Sequence, residues 1–113
     1  MRELYADLGG NYQSALSRMM NDALIGRLLK KFLAYDIAPL ANAKTAQELF
    51  QAAHGLKGVA GNLALDRLAE LASELTEATR EKEGEDLSPY ADLQKATVEE
   101  FHREIGLIQA KLG

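Results

Sequence analysis

Ala53-His54-Gly55-Leu56-Lys57-Gly58-Val59-Ala60-Gly61-Asn62-Leu63 places a histidine opposite an apolar helix face. At about 100° per residue, Leu49, Ala52, Ala53, Leu56, Val59, Ala60 and Leu63 gather on one stripe, the pattern of a helix with one side in a core. His54 falls almost opposite that stripe, with Lys57, Gly58 and Gly61 as its helix neighbours. A glycine inside a helix costs about 0.5–1 kcal/mol relative to alanine, so Gly55, Gly58 and Gly61 together forfeit roughly 2–3 kcal/mol. Such a cost is tolerated where another body must approach the backbone. Gly58 and Gly61 lie on the histidine's side, which points to a body other than the domain's own core.

The neighbouring segments also read as helices. Thr45 with Glu48 three residues on has the spacing of a capping box, so the histidine helix is expected over residues 45–62. Toward the C-terminus, a tight turn at Leu63 to Leu65 leads to a helix capped by Asp66 and carrying Leu68, Leu71, Ala72, Leu75 and Ala78. So short a turn requires an antiparallel pair. The run Glu81 to Asp86 is a solvated charged loop, and Ser88-Pro89 is expected to cap a last helix burying Leu93, Thr97, Phe101, Ile105, Ile108 and Leu112.

Toward the N-terminus, Asn11 caps a short helix with Ala15, Leu16, Met19 and Met20, and Asn21 or Asp22 caps the next. That next helix carries Leu24, Ile25, Leu28, Leu29, Phe32 and Tyr35 on one face, and Pro39 marks a kink or an end. Gly9-Gly10 closes residues 1–10, for which a short helical turn and a tether both stay open. Long amphipathic helices with short connections satisfy one another as an antiparallel four-helix bundle, so the expected fold is all-α, with a short additional N-terminal helix.

A chain of 113 residues with 47% hydrophobic content supports a single domain spanning residues 1–113. The absence of cysteine excludes disulfides and thiolate metal sites. The net charge of -4 argues against nucleic acid as a partner. No apolar run approaches a membrane span and Met1-Arg2-Glu3-Leu4 has no signal-peptide character, so no membrane insertion and a cytoplasmic location are expected. His54 and His102 lack a third ligand and the His-x-x-x-His spacing, so no metal site is expected. His102 lies off the apolar stripe and reads as a solvated residue.

The segment Ala53-His54-Gly55-Leu56-Lys57-Gly58, with Gly61-Asn62-Leu63-Ala64 and the leucine-rich Leu68-Ala69-Glu70-Leu71, resembles the histidine-containing phosphotransfer (HPt) domains of two-component phosphorelays. The likeness extends through Leu8-Gly9-Gly10-Asn11, Leu29-Lys30-Lys31-Phe32-Leu33 and the closing helix, so it covers nearly the whole chain. Two positions depart from the family's pattern. Ala64 stands where glycine usually follows Asn-Leu, and Val59 where serine or alanine is common; both are read as lying at or toward the turn and core.

The resemblance implies that His54 accepts a phosphoryl group from a receiver-domain aspartyl phosphate and passes it to another receiver. A neutral imidazole nitrogen is a competent nucleophile, and phosphoryl transfer asks chiefly for positioning and charge neutralisation. Lys57 would neutralise charge on the phosphoryl oxygens, while Gly58 and Gly61 would leave room for the receiver. Phe50, one turn before His54, either packs under the neighbouring helix or belongs to the docking rim, and Met19 and Met20 are further docking candidates, with a core role the alternative for at least one.

No intrinsic cofactor is expected; Mg²⁺ is expected on the partner receiver domain. Response-regulator receivers are the implied partners, a hybrid sensor histidine kinase is a candidate in the same pathway, and the expected state is a monomer. The chain has no Gly-x-x-x-x-Gly-Lys-[Ser/Thr] loop and no glycine-rich ATP lid, so it reads as a phosphoryl carrier without kinase activity of its own. The alternatives are the phospho-accepting domain of a chemotaxis-type histidine kinase and a helical-bundle adaptor that is not phosphorylated.

Overall fold

A computed structural model describes the whole chain, residues 1–113, and every regular element is helical. In order these are α1 (Arg2–Leu8), α2 (Tyr12–Met19), α3 (Asp22–Phe32), α4 (Ala38–Ala41), α5 (Ala46–Asn62), α6 (Asp66–Thr79), a 3₁₀ turn (Ser88–Tyr90) and α7 (Ala91–Leu112). The bundle is built from α3, α5, α6 and α7. At one end the Ala46 N–H donates to the Gly84 carbonyl at 2.9 Å, and the Gln94 side-chain amide donates to the Leu40 carbonyl at 2.9 Å. At the other end the Asn11 N–H donates to the Ala64 carbonyl at 2.9 Å, and Arg103 Nη1 donates to the Asp7 carbonyl at 2.9 Å. These ties run α5 and α6 antiparallel, with α7 descending beside them, in a body measuring 43 × 24 × 19 Å.

Residues 1–10 are no tether. Leu4, Tyr5 and Leu8 of α1 are buried, the Tyr5 hydroxyl donates to the Leu63 carbonyl at 2.7 Å, and Gly9 ends the helix in the left-handed region at φ 69°. Asn11 and Asn21 cap α2 and α3, accepting from the Ser14 and Leu24 N–H groups at 2.9 and 2.8 Å. Thr45 caps α5 by accepting from the Glu48 N–H at 3.1 Å, while the Glu48 carboxylate takes the Lys44 N–H at 3.2 Å.

Several local expectations need correction. Helix α3 ends at Phe32, before Tyr35, and Pro39 sits in the first turn of α4, where its missing N–H removes no intrahelical bond. Tyr35 still joins the core from the connection, its ring 5.5 Å from Phe32 and 5.8 Å from Phe101. Asp66 is the first residue of α6 and caps nothing with its side chain; one first-turn donor, the Arg67 N–H, is instead taken by the Gly9 carbonyl at 3.2 Å. Ser88 is not the cap it was expected to be: Asp86 accepts from its N–H at 3.1 Å and its hydroxyl at 2.6 Å. In α7, Leu93, Ile105 and Leu112 are only half-buried, while Glu100 and Glu104 are buried beside Phe101 and Ile108.

The two departures from the HPt pattern have separate outcomes. Ala64 is buried at the hairpin turn with φ 57°, a left-handed conformation that costs an L-residue roughly 1–2 kcal/mol and that glycine reaches freely. Val59 is 36% exposed, because it lies at the margin of the apolar stripe and not within it.

Candidate functional site

His54 stands midway along α5 on its exposed face, with its backbone fixed by the buried stripe Leu49, Ala53, Leu56 and Ala60 beneath it. Gly58 and Gly61 continue that face. A Cβ added at either one, or at Gly55, would meet nothing within 4 Å, so the chain's own packing does not call for glycine at any of the three. Lys57 is half-buried between the histidine face and the stripe.

Phe50 is also half-buried, and its ring stacks against the His54 imidazole with centroids 5.9 Å apart and planes inclined by 12°. The guanidinium of Arg80, from the far end of α6, lies 5.4 Å from the Phe50 ring centroid. Arg80 is held in turn by Glu77: Nε donates to Oε2 at 3.2 Å and Nη2 to Oε1 at 2.9 Å. The Arg80 hydrogen bond and charge, with a smaller contribution from Lys57, hold the Glu77 carboxyl below the ordinary carboxylate range. A stacked pair on α5 and an ion pair on α6 therefore meet across the hairpin.

The methionines separate. Met19 is 4% exposed and belongs to the core, so it cannot be a docking residue while the domain is folded. Met20 lies just past α2 and is 83% exposed, with φ 74° and the Asn21 N–H donating to the Met19 carbonyl at 2.9 Å across it, a strained γ-turn. His102 is exposed on α7, edge-on to Phe101 at 5.5 Å. No group of three or more His, Cys, Asp or Glu side chains is gathered to hold a metal ion.

Neither Arg80 nor Glu77 was singled out as a site residue. The hairpin itself carried the signal: about four helical turns outward from Leu63 to Leu65 bring Arg80 level with Phe50.

An antiparallel helical bundle with a single imidazole exposed midway along a hairpin helix is the class of protein this geometry defines. The sequence model of the Hpt domain matches residues 13–110, and the chain belongs to the Hpt domain family, which serves histidine phosphotransfer in phosphorelays. Hpt domains are phosphoryl carriers rather than enzymes, and they act with receiver domains. Neither a curated protein nor a solved structure matches the chain significantly. No helix is long and apolar enough to cross a membrane.

Proposed function

We propose that His54 is the residue that carries the phosphoryl group. The observation that carries this reading is the open strip beside it, where an exposed imidazole is followed by glycines whose missing side chains the domain does not itself require. In the proposed step the unprotonated ring nitrogen attacks the phosphorus of a receiver's aspartyl phosphate. The N–P bond forms as the P–O bond to the aspartate breaks, and the carboxylate leaves with the electron pair while the other ring nitrogen keeps its proton. Transfer to the next receiver reverses these events.

Lys57 offsets charge on the phosphoryl oxygens as a mobile point charge. The receiver's acidic pocket and its Mg²⁺ supply the remaining neutralisation, so this chain needs no cofactor of its own. Gly58 and Gly61 clear the receiver's approach, and Met20 offers an adaptable apolar contact at the surface. The chain acts as a cytoplasmic monomeric carrier with no ATP chemistry, fed by a receiver such as that of a hybrid sensor kinase.

The test is incubation with a receiver domain of the source organism, phosphorylated with acetyl phosphate and ³²P-labelled. Acid-labile label should reach the wild type and His102→Gln and be absent from His54→Gln, which should melt at the wild-type temperature because an exposed side chain contributes little to the core. Acid-labile phosphate on His54→Gln would overturn the assignment.

A further inference from the structure

We infer that Phe50 is a positioning residue for His54, and that Arg80, clamped by Glu77, holds Phe50 in that role. The inference rests on His54 being the phosphorylated residue. An exposed histidine on a helix ordinarily rotates about both side-chain bonds, whereas here its imidazole lies nearly parallel to the Phe50 ring, 12° apart at 5.9 Å. At that separation the two rings are offset, so Phe50 flanks the imidazole and leaves the edge that bears its nitrogens free of hydrogen bonds within the chain.

The chemistry makes the ring plane matter. The lone pair of an imidazole nitrogen lies in the plane of the ring, and displacement at phosphorus needs the attacking nitrogen and the leaving oxygen roughly in line. Fixing the plane of His54 therefore fixes the directions from which a docked phosphoryl group can be attacked, which is an orientational contribution to rate. Phe50 is suited to this because it is itself held: half-buried on α5, with the Arg80 guanidinium from α6 at 5.4 Å and the two Glu77 hydrogen bonds fixing that guanidinium. The orientation of the nucleophile is thus referred to both helices of the hairpin and not to one flexible side chain.

The experiment compares Phe50→Leu, Phe50→Tyr and Arg80→Gln in the full chain. Leucine keeps the apolar volume without a ring plane, and tyrosine restores the ring. With an acetyl-phosphate-charged receiver from the source organism, Phe50→Leu should lower the saturating single-turnover transfer rate about three- to tenfold, the bias an aromatic pair supplies, with little change in the half-saturating receiver concentration. Phe50→Tyr should restore the rate, and Arg80→Gln should give a smaller fall. Phosphoramidate, a free donor that can reach the ring from any direction, should label Phe50→Leu at the wild-type rate. NMR side-chain couplings of His54 should become rotamer-averaged in Phe50→Leu alone among the Phe50 variants.

An unchanged saturating rate with a raised half-saturating concentration would make Phe50 a receiver contact and overturn the inference. So would equal slowing with phosphoramidate, unchanged His54 couplings, or a loss that tyrosine does not restore. The His54→Gln control separates the two levels: retained acid-labile label there removes the proposed site itself, whereas an unlabelled His54→Gln beside an unaffected Phe50→Leu removes only the positioning role.

Discussion

His54 and Glu104 are both titratable side chains in the middle of long helices, and their surroundings are opposite. Around His54 the helix is stripped to glycine, a Cβ at Gly58 or Gly61 would meet nothing, and the side-chain contact on the imidazole is a stacked ring. Glu104 is fully buried at the junction of α1, α6 and α7, with neither oxygen accepting a hydrogen bond. Burial, and then the hydrogen bond and charge of Glu100, push its carboxyl up to about 10, so it stays protonated at neutral pH. Beside it, burial pushes Glu100 up, but hydrogen bonds from Arg103 and Glu104 and the charges of Arg103 and Arg67 outweigh burial and hold it below the ordinary carboxylate range. One bundle thus holds ionisable groups in two settings: an accessible imidazole on one hairpin face, the proposed nucleophile, and a closed polar joint fastening the N-terminal helix.

The largest stability change should come from breaking the closed region with Glu104→Gln. A carboxyl raised in the folded state binds more protons there than in the unfolded chain between the ordinary value of 4.5 and about 10. Stability therefore falls as pH rises through that window, by up to about 1.4 kcal/mol per pH unit for one proton. The amide removes this penalty and can still donate to Glu100. Glu104→Gln should melt above the wild type at pH 8, with the gap closing toward pH 4.5, and equal melting curves at both pH values would show that Glu104 ionises in place. Phosphotransfer at neutral pH should be unaffected.

Arg103→Ala comes next. Arg103 donates to the Asp7 and Leu8 carbonyls at 2.9 and 3.3 Å and to Glu100 Oε2 at 2.7 Å, so one side chain closes α1 onto α7. Its loss should cost about 2 kcal/mol, since hydrogen bonds to charged groups contribute roughly 1.5–3 kcal/mol, and Arg67, 3.1 Å from Glu100, still pairs the carboxylate. Hydrogen exchange should show α1 opening first while α5 stays protected. Uniform loss of protection would mean that α1 is not a separable unit.

The two regions were unequally legible in the sequence. The His54 face was readable because it depends on local spacing: Leu49, Ala53, Leu56 and Ala60 recur with the helical period and are buried, and Gly58 and Gly61 fall beside the histidine. Asn11, Asn21 and Thr45 were readable as caps for the same reason, each bonding a donor three residues on. The closed junction was not readable, because Glu100 and Glu104 are charged residues that pattern reading assigns to solvent; Glu100 is buried against Arg103, which the α1 carbonyls hold in place, and against Arg67 of α6, while Glu104 stays protonated. The Phe50 stack fell between these cases. Its four-residue spacing from His54 was visible, but the Arg80 and Glu77 that hold it lie across the hairpin, where counting turns gives the level of a residue and not which side chains meet. Which of Met19 and Met20 belongs to the core was not readable, because two adjacent methionines read alike, and the end of α2 between them sends Met19 inward and Met20 out.

The smallest stability effect, and the sharpest contrast between the regions, is expected at Gly58. Glutamine there raises helix propensity, which should stabilise the domain by up to about 1 kcal/mol, because a Cβ at this position meets nothing within 4 Å. The same side chain projects beside His54, into the space through which a receiver would approach on the proposed reading. Transfer from a phosphorylated receiver should therefore fall while the melting temperature rises, by about 4 °C at most for a domain of this size. Thermal unfolding and transfer kinetics on the same preparation check both. A protein that is destabilised by Gly58→Gln would show that α5 needs glycine for its own packing, and one that transfers at full rate would move the receiver's approach to another side of the imidazole.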